Sequence, residues 1–178
     1  MGISIRILEV GDVALFRELR LKSLREAPFA FSSSFDDEKD KSREAFLDEL
    51  QVLGNPPEWF VLGAFQEADQ LIGFVKFRRD LRSKARHKSM VHAMYTDPTY
   101  RGQGVGKRLM DDLLQRVRHL NGLEQIHLWV LHADTSAADF YRKCGFVSQG
   151  PVVKKDLKIE GRYVDAEYMV MHLGSELT

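Results

Sequence analysis

The chain has 178 residues, 44% of them apolar and 29% charged, which is enough for one domain, residues 1–178, with a buried core. Lysine plus arginine equals aspartate plus glutamate at 26 each, so no bulk charge draws the protein to nucleic acid or to an anionic membrane. The single cysteine, Cys144, excludes an internal disulfide framework and a cysteine-rich zinc site. With no long apolar N-terminal stretch, and no run near the roughly 18 apolar residues of a membrane span, a cytoplasmic protein is expected.

Residues 3–8 alternate apolar and polar as a half-buried strand does. Val13, Phe16, Leu19, Leu21 and Leu24 then recur near helical spacing until Pro28 ends the helix. Phe29, Phe31 and Phe35, interleaved with serines and followed by Asp36, Asp37 and Glu38, read as a loop with hydrophobic anchors. A second helix is expected over residues 42–53, stopped by Gly54-Asn55-Pro56-Pro57. Residues 59–65 and 71–77 are apolar runs of strand length joined by a polar turn, which predicts an antiparallel hairpin. A basic loop over 78–88 leads to a strand over 90–96. Val105, Leu109, Leu113, Leu114 and Val117 mark one face of a helix that ends near Asn121-Gly122. A strand over 126–131, a helix holding Ala137, Phe140 and Tyr141 and closed by Gly145, a short strand from Phe146 and a last strand over 163–173 complete the chain. Helical crossovers between strands imply an α/β (α+β mixed sheet) fold, with about seven strands flanked by about four helices.

Between strand 90–96 and the helix that follows, residues 101–107 read Arg-Gly-Gln-Gly-Val-Gly-Lys. Backbone with so little side chain can bring several N–H groups to a phosphate, and the next helix adds its positive dipole end, so an anionic ligand is expected. A dinucleotide fingerprint would need glycine at Lys107, and a P-loop would need Ser or Thr at Arg108 and glycine at Arg101; neither fits. Arg101-x-x-Gly104-x-Gly106 resembles the pyrophosphate loop of the GNAT acyltransferases, which move an acetyl group from coenzyme A to an amine. A second stretch, Asp134-x-x-Ala137-x-x-Phe140-Tyr141-x-Lys143-x-Gly145-Phe146, is similar to that family's Asn-x-x-Ala-x-x-Leu-Tyr-x-Lys-x-Gly-Phe, in the same order along the chain. Residues 93–101 likewise resemble the family's approach to its loop, with Pro98 and Arg101 in place. Phe140 for leucine is a conservative exchange. Asp134 for asparagine replaces an amide that can donate with an acceptor-only carboxylate.

The resemblance implies acetyl-CoA as cosubstrate and a strand that leaves its neighbour, so that the main chain of Met94, Tyr95 and Thr96 pairs with the pantetheine arm. It further implies diphosphate binding by Arg101, Gly102, Gln103, Gly104, Val105, Gly106 and Lys107, with Asp134 and Ala137 also at the cofactor. Tyr141 takes the role of general acid, since a phenol of pKa about 10 has a proton to give the departing thiolate at neutral pH. An acceptor with a lysine-like pKa needs about 4 kcal/mol to lose its proton at pH 7.4, so a base is useful. His92, the acidic residues 36–38, and a backbone carbonyl with ordered water all stand as alternatives.

Phe31 and Phe35 with Asp36 and Glu38 are the expected acceptor-binding residues, an apolar wall beside carboxylates that suits a primary amine with some hydrophobic surface, on a small molecule or peptide. Direct attack in a ternary complex is the expected chemistry, and the resemblance allows a homodimer. The rival is a coenzyme A-binding sensor without catalysis. The scattered histidines 87, 92, 119, 127, 132 and 172 show no metal-ligand spacing.

Overall fold

In the computed structural model, which describes residues 2–67, 70–132 and 135–174, the first alternating segment forms strand β1 (Ile3–Ile7). The chain continues through α1 (Val13–Glu26), a short α2 (Phe35–Glu38) and α3 (Arg43–Glu49) to strands β2 (Trp59–Gln66), β3 (Gln70–Arg79) and β4 (Lys88–Thr96). Helix α4 (Val105–Val117), strand β5 (Gln125–Leu131), helix α5 (Thr135–Lys143) and strands β6 (Val147–Ser148), β7 (Val153–Ile159) and β8 (Arg162–His172) follow. All the strands join one 8-stranded sheet in the order β1-β2-β3-β4-β5-β8-β6, with β7 on β8.

Strands β2 and β3 are continuous apolar runs because both sheet faces are covered. On one face α4 buries Val105, Leu109, Met110, Leu113, Leu114 and Val117 against Phe60, Leu62, Val75 and Phe77. On the other, Phe16 and Leu24 of α1 and Phe46 of α3 close over Phe65, Phe74 and Tyr95. Phe74 meets Phe16 edge-on at 5.4 Å, an arrangement aromatic rings favour.

Three elements depart from the sequence expectation, the first being α3, which stops at Glu49 rather than near residue 53, where Leu53 instead bridges to Trp59. Residues 35–38 form a short helix rather than loop, because Ser34 Oγ accepts the Asp37 N–H while the Asp37 carboxylate accepts the Ser34 N–H. Strand β7 was not expected at all. Its sequence, Val-Lys-Lys-Asp-Leu-Lys-Ile, is largely exposed and carries little apolar signal, and its pairing with β8 rests on a turn where Glu160 and Gly161 both take positive φ, 49° and 79°.

One irregularity opens the sheet. Strands β4 and β5 are parallel, but their pairing covers only Lys88 to Met90 against Gln125 to His127. Beyond Met90 they separate. The register between β3 and β4 shifts at the same place, Lys76 facing Ala93 and Phe77 facing Val91, so His92 is the extra residue of a bulge. Bulges bend a strand and sharpen its twist, which here steers β4 away from β5.

Candidate active site

The gap between the diverging strands is the floor of an open cleft of about 750 Å³, a size suited to ligands. Its walls come from residues 91–96 of β4, 128–131 of β5, the turn before α4, the outer face of α5 and residues 26–30 at the end of α1. Because Asp97 N–H bonds Ile72 O on β3, the two-residue strand period turns the main-chain groups of Met94 and Thr96 away from β3 and into the gap. Those groups can receive an extended polar chain as an added strand would. Tyr95 differs in its side chain, which is buried on the α1 side and bonds Glu26 Oε2 through its hydroxyl at 2.8 Å.

At the loop, Gly102 and Gly104 have φ of 76° and 78°, a left-handed backbone that only glycine adopts without strain. Gly104 caps α4, and the first helical bond of that end runs from Arg108 N–H to Gly104 O. No acceptor among the described residues bonds the N–H groups of residues 102–107. A row of unpaired donors at a helix N-terminus has the chemistry to receive an anion. Gly106 lies between Met94 and Phe140, where a Cβ would make ordinary contacts at 3.4 Å to Met94 Cε and 3.6 Å to Phe140 Cζ. Arg101 and Lys107 are both exposed at the cleft, Lys107 being paired with Asp111 on the next turn of α4. The Gln103 side chain reaches back to Thr99 O at 3.4 Å, which leaves its amide as its contribution to the loop.

Ala137 lies on the exposed face of α5 toward the cleft, with Ser136 beside it. Asp134 falls outside the described residues. Tyr141, one turn on from Ala137, also faces the cleft, and its ring is held edge-on by Phe140 at 5.3 Å and Phe146 at 5.7 Å. Burial, with a smaller push from Cys144, raises its pKa, so the phenol stays protonated. Helix α5 is tied down behind it by a buried carboxylate, Glu167, which accepts from Arg142 at 2.8 Å, His132 at 2.6 Å and Ser148.

His92 lines the cleft, and the bulge directs it with Ala93 toward the α1 side. His92 keeps solvent exposure, and partial loss of hydration, with the charges of Arg78 and Lys76, lowers its pKa and favours the neutral imidazole at pH 7.

The expected acceptor residues are not gathered there. Glu38 is buried, bound bidentately by Arg20 at 2.7 and 3.1 Å, and Arg20 in turn lies over the ring of Phe31, itself in the core. Phe35 is covered by the guanidinium of Arg25, and Asp36 pairs with Lys39 on the surface. None of Phe31, Phe35, Asp36 or Glu38 lines the cleft. Of the aromatic anchors only Phe29 does, joined by Trp129, which is 49% exposed, and by Glu26, neither of which the sequence singled out.

A family model described as "Acetyltransferase (GNAT) family" matches residues 19–146. The chain is 27% identical to spermidine N(1)-acetyltransferase of Vibrio cholerae, over 94% of this chain and 91% of that one. It is 24% identical to the L-methionine sulfoximine/L-methionine sulfone acetyltransferase of Pseudomonas aeruginosa, over 74% of this chain and 73% of that protein. Among solved structures, a phosphinothricin acetyltransferase from Sinorhizobium meliloti in complex with acetyl-CoA superposes with a TM-score of 0.81 at 24% identity, covering 99% and 91% of the two chains. A GNAT-family acetyltransferase from Streptococcus pneumoniae gives 0.82 at 23% identity, covering 97% and 100%.

Proposed function

The chain belongs to the acetyltransferase (GNAT) family and is an acetyl-CoA-dependent N-acetyltransferase with an amine acceptor; from that premise we propose the role of each group in its cleft. The amides of residues 102–107 and the Arg101 guanidinium receive the diphosphate of acetyl-CoA, and the main chain of Met94 and Thr96 aligns the pantetheine arm in the gap between β4 and β5. One observation carries this assignment: the unpaired amides and the gap left by the parting strands open onto one cleft. Thr96, Tyr95, Val105, Ala137 and the glycines complete the cofactor wall, and Lys107, held by Asp111, adds charge rather than a direct grip.

The acceptor amine approaches from the α1 side, over Phe29 and Trp129, and attacks the thioester carbonyl directly. Tyr141 Oη gives its proton to the departing sulfur. His92 Nδ1 or Nε2 takes the amine proton, directly or through water, because a neutral imidazole has a free lone pair. The apolar wall of Phe29 and Trp129 favours amines that carry hydrophobic surface.

Incubation with acetyl-CoA and a broad panel of amines, following released thiol, tests the activity. Turnover on at least one amine is expected; acetyl-CoA binding with no turnover across the panel would instead favour the sensor. The role of His92 has its own signature in pH. Its lowered pKa means the base form is present above that value and is lost as pH falls through it, so kcat/KM should decline only below about pH 6.5. His92→Ala should remove that acid limb and lower the plateau by about 10²-fold or more. An unchanged limb in the variant assigns proton removal to another group.

A further inference from the structure

The cleft has one acidic side chain among the described residues, Glu26, at its α1 edge. A carboxylate at this place is electrostatically costly, because the C-terminus of a helix already carries negative partial charge. Its surroundings do not neutralise it. Lys22 stands 3.8 Å from Glu26 but 2.6 Å from Asp97, so one ammonium serves two carboxylates and is committed to the other. Glu18 adds further negative charge around Lys22. Arg101, which acts on the nearby Tyr95 phenol, makes no ion pair with Glu26 among the described residues. The Tyr95 hydroxyl donates to Glu26 Oε2 at 2.8 Å, which aims the carboxylate, while Oε1 has only the long 3.8 Å contact with the shared Lys22 and is open to a closer cation. Burial and this bond raise the phenol's pKa, so Tyr95 remains a donor. Glu26 therefore presents an oriented, under-neutralised negative charge to the cleft.

Resting on the acetyl-transfer reading above, we infer that Glu26 binds a cationic group of the acceptor other than the amine that is acetylated, which makes the preferred acceptors amines with a second positive charge beyond an apolar spacer. The reacting amine itself is a poor partner for Glu26. A carboxylate contact stabilises the ammonium form and raises its pKa, while attack requires the neutral amine. A second cation has no such conflict. The exposed face of Trp129 and the ring of Phe29 then cover the spacer, and indole is also the best aromatic neighbour for a cation.

Matched probes test this on the full chain: butyl and octyl monoamines, the corresponding terminal diamines and the corresponding amino acids, each assayed with acetyl-CoA. At one or both spacer lengths, kcat/KM should be at least about 5-fold higher for the diamine than for the monoamine, with the amino acid poorest, after allowing for the diamine's two equivalent ends. Glu26→Gln should bring the diamine-to-monoamine ratio close to one, and Tyr95→Phe should lower it part of the way by releasing the carboxylate. Equal use of diamine and monoamine by the native chain, or a preference that survives Glu26→Gln, overturns the assignment while acetyl transfer stands. Failure of every amine, with acetyl-CoA bound, removes this inference and the enzymatic reading together.

Discussion

Replacing Tyr141 by phenylalanine is expected to lower kcat by about 10²- to 10⁴-fold while the acetyl-CoA dissociation constant stays within about threefold, the range for loss of a positioned general acid. The substitution removes one oxygen and keeps the ring, so its edge-on contacts with Phe140 and Phe146 persist and the helix should not move. The hydroxyl makes no hydrogen bond among the described residues, so its removal orphans no buried partner there. What disappears is the proton that burial keeps on Tyr141 Oη. Leaving-group dependence separates this role from a packing role: an acyl donor with a more acidic thiol needs less help and should recover much of the lost rate. Full activity in the phenylalanine variant would transfer the proton-donor role to solvent or to another side chain.

The largest effect on stability should come from Glu38→Ala, at about 3–5 kcal/mol, the cost of stripping one partner from a buried ion pair. Glu38 and Arg20 have side chains 4% and 5% exposed, and two hydrogen bonds at 2.7 and 3.1 Å join them through Arg20 Nε and Nη2, while the buried Arg20 Nη1 has no partner among the described residues. Burial works to raise the Glu38 pKa, but the Arg20 hydrogen bonds and charge, with Lys41 and Lys76, outweigh it and leave the value lowered. The stability it contributes is present above the ordinary carboxylate pKa and is lost as pH falls through the lowered one. Thermal or denaturant unfolding at pH 7 reads the loss directly. The paired change Arg20→Met with Glu38→Leu should recover most of it, because no uncompensated charge remains in the core. A loss below about 1 kcal/mol for Glu38→Ala would mean that the pair is solvated.

These two residues also show where sequence was informative and where it was not. Tyr141 was legible because a local pattern carries it: helical spacing places Ala137 and Tyr141 on one face, and the motif around them is short and contiguous. The glycine loop was legible for the same reason, since positive φ at Gly102 and Gly104 follows from residue type. Helix α4 announced its buried face through strict periodicity. Glu38 misled because an acidic run in a serine-rich stretch looks solvated or ligand-facing, and its partner Arg20 lies far away on another helix. Only folding reveals that one of the three acidic residues turns inward. Glu26 was invisible by the same logic, one polar position on an amphipathic helix whose link to Tyr95 spans many residues. Trp129 sat unremarked in the apolar strand run 126–131, yet β5 leaves it 49% exposed at the cleft. Signals confined to a few consecutive residues survive without coordinates, whereas those that depend on two distant segments meeting do not.

The acceptor side carries the finer specificity, but the cofactor side carries the chemistry. Equilibrium titration of the full chain with coenzyme A and with pantetheine, which shares the thiol arm and lacks both the diphosphate and the adenosine 3′-phosphate, measures what the amides of residues 102–107 and the nucleotide contacts contribute together. Several charge-assisted hydrogen bonds at about 1.5–3 kcal/mol each predict that coenzyme A binds at least about 100-fold more tightly. Equal affinity for the two ligands would contradict the assignment of the loop as the diphosphate site.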